Sequence, residues 1–255
     1  MYARSTYSRR HRSLTPRRPR NHNLEEQAQA LYKSWFVDFE PFKDGEFVDS
    51  VLGLIPGGWR IGTLSDLGDI VAGGTPSKAK SEYYTGSGIH WLTPKDLSNY
   101  CGKYTSRGEN DITRLGYQNS SAKLMPRGSV LFSSRAPIGY MTIAKNDICT
   151  NQGFKSVVPN FAGTGYIYYW LKEHTENIER QASGSTFKEA SGSLMKSFTA
   201  LVPPKEVLDR FEEALQPLLN SQENLEDESF TLKASRDHLL PLLMSGALTF
   251  EQLTC

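Results

Sequence analysis

The chain has 255 residues, a net charge of +1 and 22% charged residues, which suits one large domain or one domain with an appendage. No apolar run reaches the length of a membrane span and the N-terminus lacks the apolar core of a secretory signal, so a cytoplasmic protein is expected. Cys101, Cys149 and Cys255 form no CxxC pair and come with no clustered histidines, which argues against a zinc site and a disulfide framework.

Residues 1–22 hold seven arginines, no acid and no periodicity. Such a segment cannot bury a core and is expected to be a disordered arm. It suits non-specific contact with DNA, and equally an accident of where the reading frame begins. Asn23-Leu24-Glu25-Glu26 then has the form of a capping box. Behind it Leu24, Ala28, Leu31, Trp35 and Phe39 share one stripe, predicting a short helix over 23–40 that Pro41 ends. Gly45, Gly53, Pro56, Gly57 and Gly58 mark 41–58 as a linker.

From Trp59 to Pro159 short apolar runs alternate with turn clusters, a β-rich texture. Residues 129–132, 140–144 and 154–158 are the clearest strands, and Gly73-Gly74-Thr75-Pro76-Ser77, Tyr84-Thr85-Gly86-Ser87-Gly88 and Lys145-Asn146-Asp147 are the turns. This block is basic, with twelve Lys and Arg against seven acids over 59–160, while the segments on either side are acidic. A basic block with interleaved aromatics suits a polyanion partner, and scattered lysines on a solvated surface explain so small an excess as well. Helices are expected near Thr113, over Gly165–Arg180 and within 187–198.

After Pro203-Pro204, Leu208, Phe211, Leu215, Leu218, Leu225, Leu232, Leu239 and Leu243 recur three, four or seven residues apart, with Gln222, Ser229 and Arg236 at the missing steps. That is a heptad seam, predicting one helix over 203–246 with Gly246 as terminator and 247–255 as a tail. From Lys205 to Leu240 it would be roughly 54 Å long. Periodicity leaves two arrangements open: a ruler that sets the distance to a second module, or a rod kinked at Pro217 and folded on its own domain.

No phosphate-binding Walker loop, dinucleotide fingerprint, methyltransferase Asn-Pro-Pro-aromatic motif or Gly-x-Ser-x-Gly elbow is present. Pro94-Lys95-Asp96 lacks the Glu-x-Lys of a nuclease site. His90 and His174 read as packing or surface residues. The chain is therefore expected not to be an enzyme.

The order of several short blocks resembles the DNA-specificity (S) subunit of type I restriction-modification systems. They are Gly58-Trp59 with Leu64-Ser65-Asp66-Leu67 and the Gly73–Ser77 turn; Trp91-Leu92-Thr93-Pro94-Lys95-Asp96-Leu97; Gly128 to Gly139 with Asn151-Gln152-Gly153-Phe154; Gly184-Ser185-Thr186 through Phe198 to Pro203-Pro204; Leu239 to Gly246; and Asn23 to Pro41. The resemblance implies an α+β fold: one globular mixed β-rich target recognition domain, 59–202, with long conserved helices forming an antiparallel coiled-coil-like spacer. It implies a non-catalytic subunit that reads one half of a bipartite double-stranded DNA target. Such a subunit docks modification subunits, which carry S-adenosylmethionine, and restriction subunits join that core; this chain would hold no cofactor. One recognition domain where the family has two implies a half-subunit that pairs with a second copy or another S fragment, or a remnant of an interrupted gene. The alternative is an adaptor that binds partner subunits without reading sequence.

Side-chain chemistry ranks the DNA contacts. Gly74, Thr75, Ser77, Lys78 and Lys80 lie in the glycine turn, where backbone can approach closely. Lys95, Lys103, Arg107 and Arg114 lie in the turn-rich middle with Tyr83, Tyr84 and Tyr104. Arg135 follows a strand and could fork onto guanine or instead brace its own block, and Ser185 and Lys188 lie in a later loop. Each also fits a solvated surface. Leu208, Phe211, Leu215, Leu218, Leu225, Leu232 and Leu239, with Leu31 and Trp35 on the short helix, are the expected spacer or dimer interface. No metal ligands are expected.

Overall fold

Two helices, one from each end of the chain, pack along each other and against a β-rich head. The computed structural model describes residues 18–98, 102–184 and 188–246; the expected C-terminal tail and most of the arginine-rich arm lie outside them. Helix α1 (Arg18–Phe36) starts inside the segment expected to be disordered. Asn23 is therefore not its N-cap, and its side chain instead accepts a hydrogen bond from Gln27 one turn on. The helix stops before Phe39, which takes a left-handed φ of 53° and places its ring against Trp59 at 5.5 Å.

The segment read as a linker is structured. A 3-10 turn (Glu40–Phe42) leads into an antiparallel hairpin of β1 (Phe47–Ser50) and β2 (Gly53–Pro56), whose turn needs the positive φ of Gly53, 96°. Strand β3 (Arg60–Thr63) follows, then a 3-10 turn and β4 (Gly68–Ala72). The turn is a capping box: Asp66 accepts from the Thr63 backbone at 2.7 Å and from its hydroxyl at 2.9 Å. After a 3-10 turn at Ser81–Tyr83 come β5 (Tyr84–Thr85), β6 (Ile89–Leu92), α2 (Pro94–Ser98), β7 (Tyr104–Thr105), β8 (Asp111–Ile112) and α3 (Arg114–Gln118). Then come β9 (Val130–Ser134), β10 (Ile138–Ala144), β11 (Cys149–Thr150), β12 (Lys155–Pro159), α4 (Thr164–Gln181), α5 (Gly192–Ser197), β13 (Thr199–Val202) and α6 (Lys205–Met244).

The larger sheet has the order β4-β12-β9-β10-β7 and the smaller one β11-β6-β8-β5. β7 joins β10, and β11 joins β6, in parallel. β13 pairs antiparallel with β3, Val202 opposite Arg60, so the head's first and last strands lie side by side. Cys149 is buried in the smaller sheet's core, and burial pushes its thiol up to about 12.

α6 is one continuous helix of 40 residues, about 60 Å long, and it runs through Pro217. It lies antiparallel to α1: Asn21 meets Glu226, Glu25 meets Gln222 and Phe36 meets Phe211. Its first half belongs to the head's own core. Leu208, Phe211, Leu215 and Leu219 are buried in one cluster with Ala28, Tyr32 and Phe36 of α1, Tyr166, Tyr169 and Trp170 of α4, and Val130 and Phe132 of the larger sheet. Of the expected spacer or dimer interface, Leu208, Phe211 and Leu215 take the spacer part, packing with α1 inside the chain; buried there, they are corrected as contacts to a second copy. Leu31, Trp35 and Leu218 pack at the edge of the same cluster. Leu225 and Leu239 are half-buried, while Leu232 and Phe230 stand 48% and 73% exposed. From Ser229 to Gly246 no hydrogen bond reaches another element among the described residues.

Candidate nucleic-acid interface

The glycine turn after β4 is built for contact within the protein. A Cβ on Gly73 would collide with the Asn151 and Thr150 carbonyls, and one on Gly74 with the backbone of Ser121 and Ala122. Gly74 N–H donates to Thr150 O at 2.8 Å, and its carbonyl accepts from Trp91 Nε1 at 3.0 Å. Gly74 is buried. The close approach expected toward DNA at this glycine is therefore spent against the chain's own backbone, which corrects Gly74 as a DNA contact.

The Thr93-Pro94-Lys95-Asp96 block repeats the device at Thr63–Asp66. Asp96 accepts from the Thr93 backbone and hydroxyl at 2.7 Å each and from Glu109 N at 3.1 Å. At Asn151-Gln152-Gly153, the Asn151 side-chain oxygen accepts from Gly153 N at 2.8 Å, and Asn151 N donates to Leu92 O at 2.9 Å. These bonds staple the glycine loop, the start of α2 and the 151–153 turn around a cleft of about 540 Å³. Thr75, Lys78, Lys95, Asn110, Asn151 and Gln152 line it, with Trp91 at its wall. The Thr75 hydroxyl is buried there with no hydrogen-bond partner among the described residues.

The basic candidates divide by location. Lys78 and Ser77 are exposed beside the cleft. Lys80 bonds the Tyr83 hydroxyl at 3.0 Å and lies over its ring at 5.0 Å. Lys95 reaches Glu109 at 3.3 Å across an exposed pair, which contributes little to stability. Arg107 is drawn to Gly86 O at 2.7 Å and Asp111 at 3.2 Å. Arg135 is half-buried and one of its guanidinium nitrogens pairs with Glu189 at 3.5 Å. Lys188 is exposed and donates to Glu179 O at 3.4 Å. Ser185 lies outside the described residues.

Lys103 and Tyr104 are corrections, because both are buried against the helices. The three ammonium donors of Lys103 meet three acceptors: Glu25 at 2.6 Å, Tyr169 at 2.6 Å and Gln222 at 2.8 Å. Burial would raise the Glu25 pKa, but the Lys103 and Lys172 ammoniums outweigh it and hold the carboxyl at about 2. Burial lowers the Lys103 pKa, with Glu25 opposing. Tyr104 donates its hydroxyl to Leu219 O at 3.1 Å, and Glu226 accepts the backbone N–H groups of Lys103 and Tyr104 at 2.8 and 3.0 Å. Arg127 and Lys145 likewise pair with Glu223 and Asp227 of α6.

A pattern emerges among the twelve basic residues of 59–160. Eight are paired with carboxylates: those facing the helices or β13, and also Lys95 with Glu109 and Arg107 with Asp111. The four with no carboxylate partner among the described residues are Lys78, Lys80, Arg114 and Lys123. All four sit on segments around the glycine turn: Arg114 opens α3, which packs on the Ser81–Tyr83 turn, and Lys123 follows Ala122, the wall of Gly74. Sequence reasoning misses Lys123, and with it the exposed Asn110 and Gln152. The signal is present in Asn151-Gln152-Gly153, since carboxamides are the side chains that pair with adenine. Among the described residues no cluster of three metal-ligating side chains is present, and no helix is long and apolar enough to cross a membrane. His174 stacks on Trp170 at 4.3 Å and His90 meets Asp111 at 3.3 Å.

Residues 56–229 match the family described as Type I restriction modification DNA specificity domain. The chain is 39% identical to the Type I restriction enzyme MjaIX specificity subunit of Methanocaldococcus jannaschii, over 71% of this chain and 44% of that protein. It is 25% identical to the HindI specificity subunit of Haemophilus influenzae, over 89% of this chain and 62% of that one. The chain thus spans about half the length of the relatives it matches. Its fold is shared with the HsdS subunit of Thermoanaerobacter tengcongensis, TM-score 0.51 at 19% identity, over 83% of this chain and 47% of that one. It is shared also with the S subunit from M. genitalium, TM-score 0.56 at 14% identity, over 87% and 53%.

Proposed function

The chain belongs to the DNA specificity family of type I restriction-modification systems, and we propose that it is the sequence-reading, non-catalytic part of such a complex. The observation that carries this reading is that Lys78, Lys80, Arg114 and Lys123, without a carboxylate partner among the described residues, lie on segments around the glycine turn, and that Lys78 lines the cleft beside it. Phosphate neutralisation by such cations supplies affinity.

In this reading the head takes one half of a bipartite duplex target, and α1 and α6 hold it at a fixed distance from a second head. Pairing of two copies uses the part of the seam that the chain itself leaves open: Leu218 and Leu225 at its edge, Leu232 and Leu239 beyond. A two-fold pair of identical heads reads two identical half-sites in inverted orientation. The helices also dock modification subunits, which bring S-adenosylmethionine and the methyl-transfer chemistry, and restriction subunits join them.

Sequencing of methylated sites in cells that carry this chain with its modification subunit tests the reading. A symmetric bipartite motif is expected. An asymmetric motif would remove the two-copy arrangement. Absence of any motif, with modification subunits still bound, would leave an adaptor that reads no sequence.

A further inference from the structure

We propose that the cleft between the glycine loop and the Asn151–Gln152 turn is the head's base-reading site, where the Gln152 and Asn110 carboxamides hydrogen-bond adenine and Lys78 and Lys95 hold the flanking phosphates. The proposal rests on the DNA-reading function above and adds which residues read and what they read.

Several polar groups at the cleft are already spent. Asp96 is saturated by Thr93 and Glu109. Trp91 Nε1 is given to Gly74 O, the Tyr84 hydroxyl to Pro76 O at 2.6 Å, and the Asn151 oxygen to Gly153 N. Gln152 and Asn110 differ. Both are exposed, both line the cleft, and neither side chain makes a hydrogen bond among the described residues. A carboxamide offers one acceptor and two donors in a plane, the complement of adenine N6 and N7.

These two residues are also held in place. Gln152 sits in a turn whose neighbours bond Leu92 O and the Asn151 side chain. Asn110 lies between Glu109, tied by its backbone to Asp96, and Asp111, which accepts from Gly88 N at 3.0 Å. Readers fixed in advance by their backbone lose little entropy on binding, which favours discrimination. Lys78 and Lys95 line the same cleft; Lys78 has no carboxylate partner among the described residues, and Lys95 is held only by an exposed pair with Glu109 that a phosphate can replace.

The test uses the full chain, alone and with its cognate modification subunits, against a randomised duplex DNA library. The wild type, Gln152→Ala, Asn110→Ala and Lys78→Ala are compared, with thermal melts confirming that these surface changes leave the fold intact. Each carboxamide variant is expected to lose about tenfold or more discrimination at one base-pair position that the wild type reads as A·T, while binding to non-target DNA is kept. Lys78→Ala is expected to weaken binding at all sequences and to lower the log–log salt slope by about one unit. A wild-type motif that both carboxamide variants reproduce at every position overturns this inference and leaves the DNA-reading function standing. A wild type that selects no motif overturns the function, and the inference with it.

Discussion

Lys103 Nζ lies 2.6 Å from Glu25 Oε2, joining the larger sheet to the helix at the other end of the chain. Tyr169 and Gln222 complete the shell from α4 and α6, so four elements meet at one buried charge. Removing one partner of such a pair leaves the other uncompensated in a poor solvent for charge. Glu25→Gln is expected to cost about 3 kcal/mol in equilibrium denaturation. The double change Glu25→Leu with Lys103→Met should recover most of that loss. A double variant as unstable as the single one would show that the ionic form itself is required.

The same carboxylate sets an acid limit. Its folded pKa of about 2 lies below the ordinary 4.5, so its stabilisation is complete above about pH 4.5 and is lost as pH falls toward 2. Glu212 and Glu226 act in the opposite sense, because burial raises both, and their contribution grows as pH falls from neutral. Stability measured from pH 5 to pH 2 is expected to fall more steeply in the wild type than in Glu25→Gln. Parallel curves would remove Glu25 as the acid-sensitive group.

Gly74→Ala places a methyl group against the backbone of Ser121 and Ala122, where neither neighbour can move aside as a flexible side chain would. A loss of about 2 kcal/mol or more is expected. Gly86 meets nothing within 4 Å and keeps an ordinary φ, so Gly86→Ala should be neutral or stabilising by up to about 1 kcal/mol. Urea denaturation of the two variants separates close packing from loop entropy.

Glu212 of α6 accepts the backbone N–H groups of Gly165 and Tyr166 at 3.2 and 2.7 Å. It caps α4 from another helix, where Gly163 offers no side chain to do so. Glu212→Ala is expected to cost about 1–2 kcal/mol, with faster hydrogen exchange at those two amides. Gln, which keeps an acceptor, should cost less.

Leu232→Glu tests the pairing of copies. The residue is 48% exposed and outside the head's core, so the variant chain should still fold and melt cooperatively, losing only the stabilisation that pairing supplies. If two copies meet along α6, light scattering should show the mass change from dimer to monomer.

The long helix is legible because leucines held at heptad spacing across 40 residues suit an extended helix and little else. What spacing cannot divide is the seam itself: its first half faces α1 and α4, with Leu219 and Gln222 buried where the heptad places Leu218 and a polar gap. The start of α1 is hidden because Asn23 and Glu26 imitate a cap inside a helix that continues. Lys103 reads as a DNA contact for a plainer reason. A lysine amid turn residues looks solvated, and its partners Glu25 and Gln222 lie far off in sequence. The family blocks at Leu64–Leu67 and Trp91–Leu97 have a local cause that four letters state once Thr63 is counted with the first: threonine, two residues, aspartate closing a capping box. The cleft is only half legible, since its lysines attract notice and its carboxamides do not.

Because β3 and β13 are paired neighbours, the head begins and ends at one seam, like a page bound at a single edge. A different β-rich insert with the same two margins could be spliced between Trp59 and Pro203 without shifting the register of α1 on α6. The graft would have to bring its own counterparts of Tyr166 and Tyr169, which the helices expect beneath them. What such an exchange would alter is the cleft, where Lys78 and the open carboxamides stand.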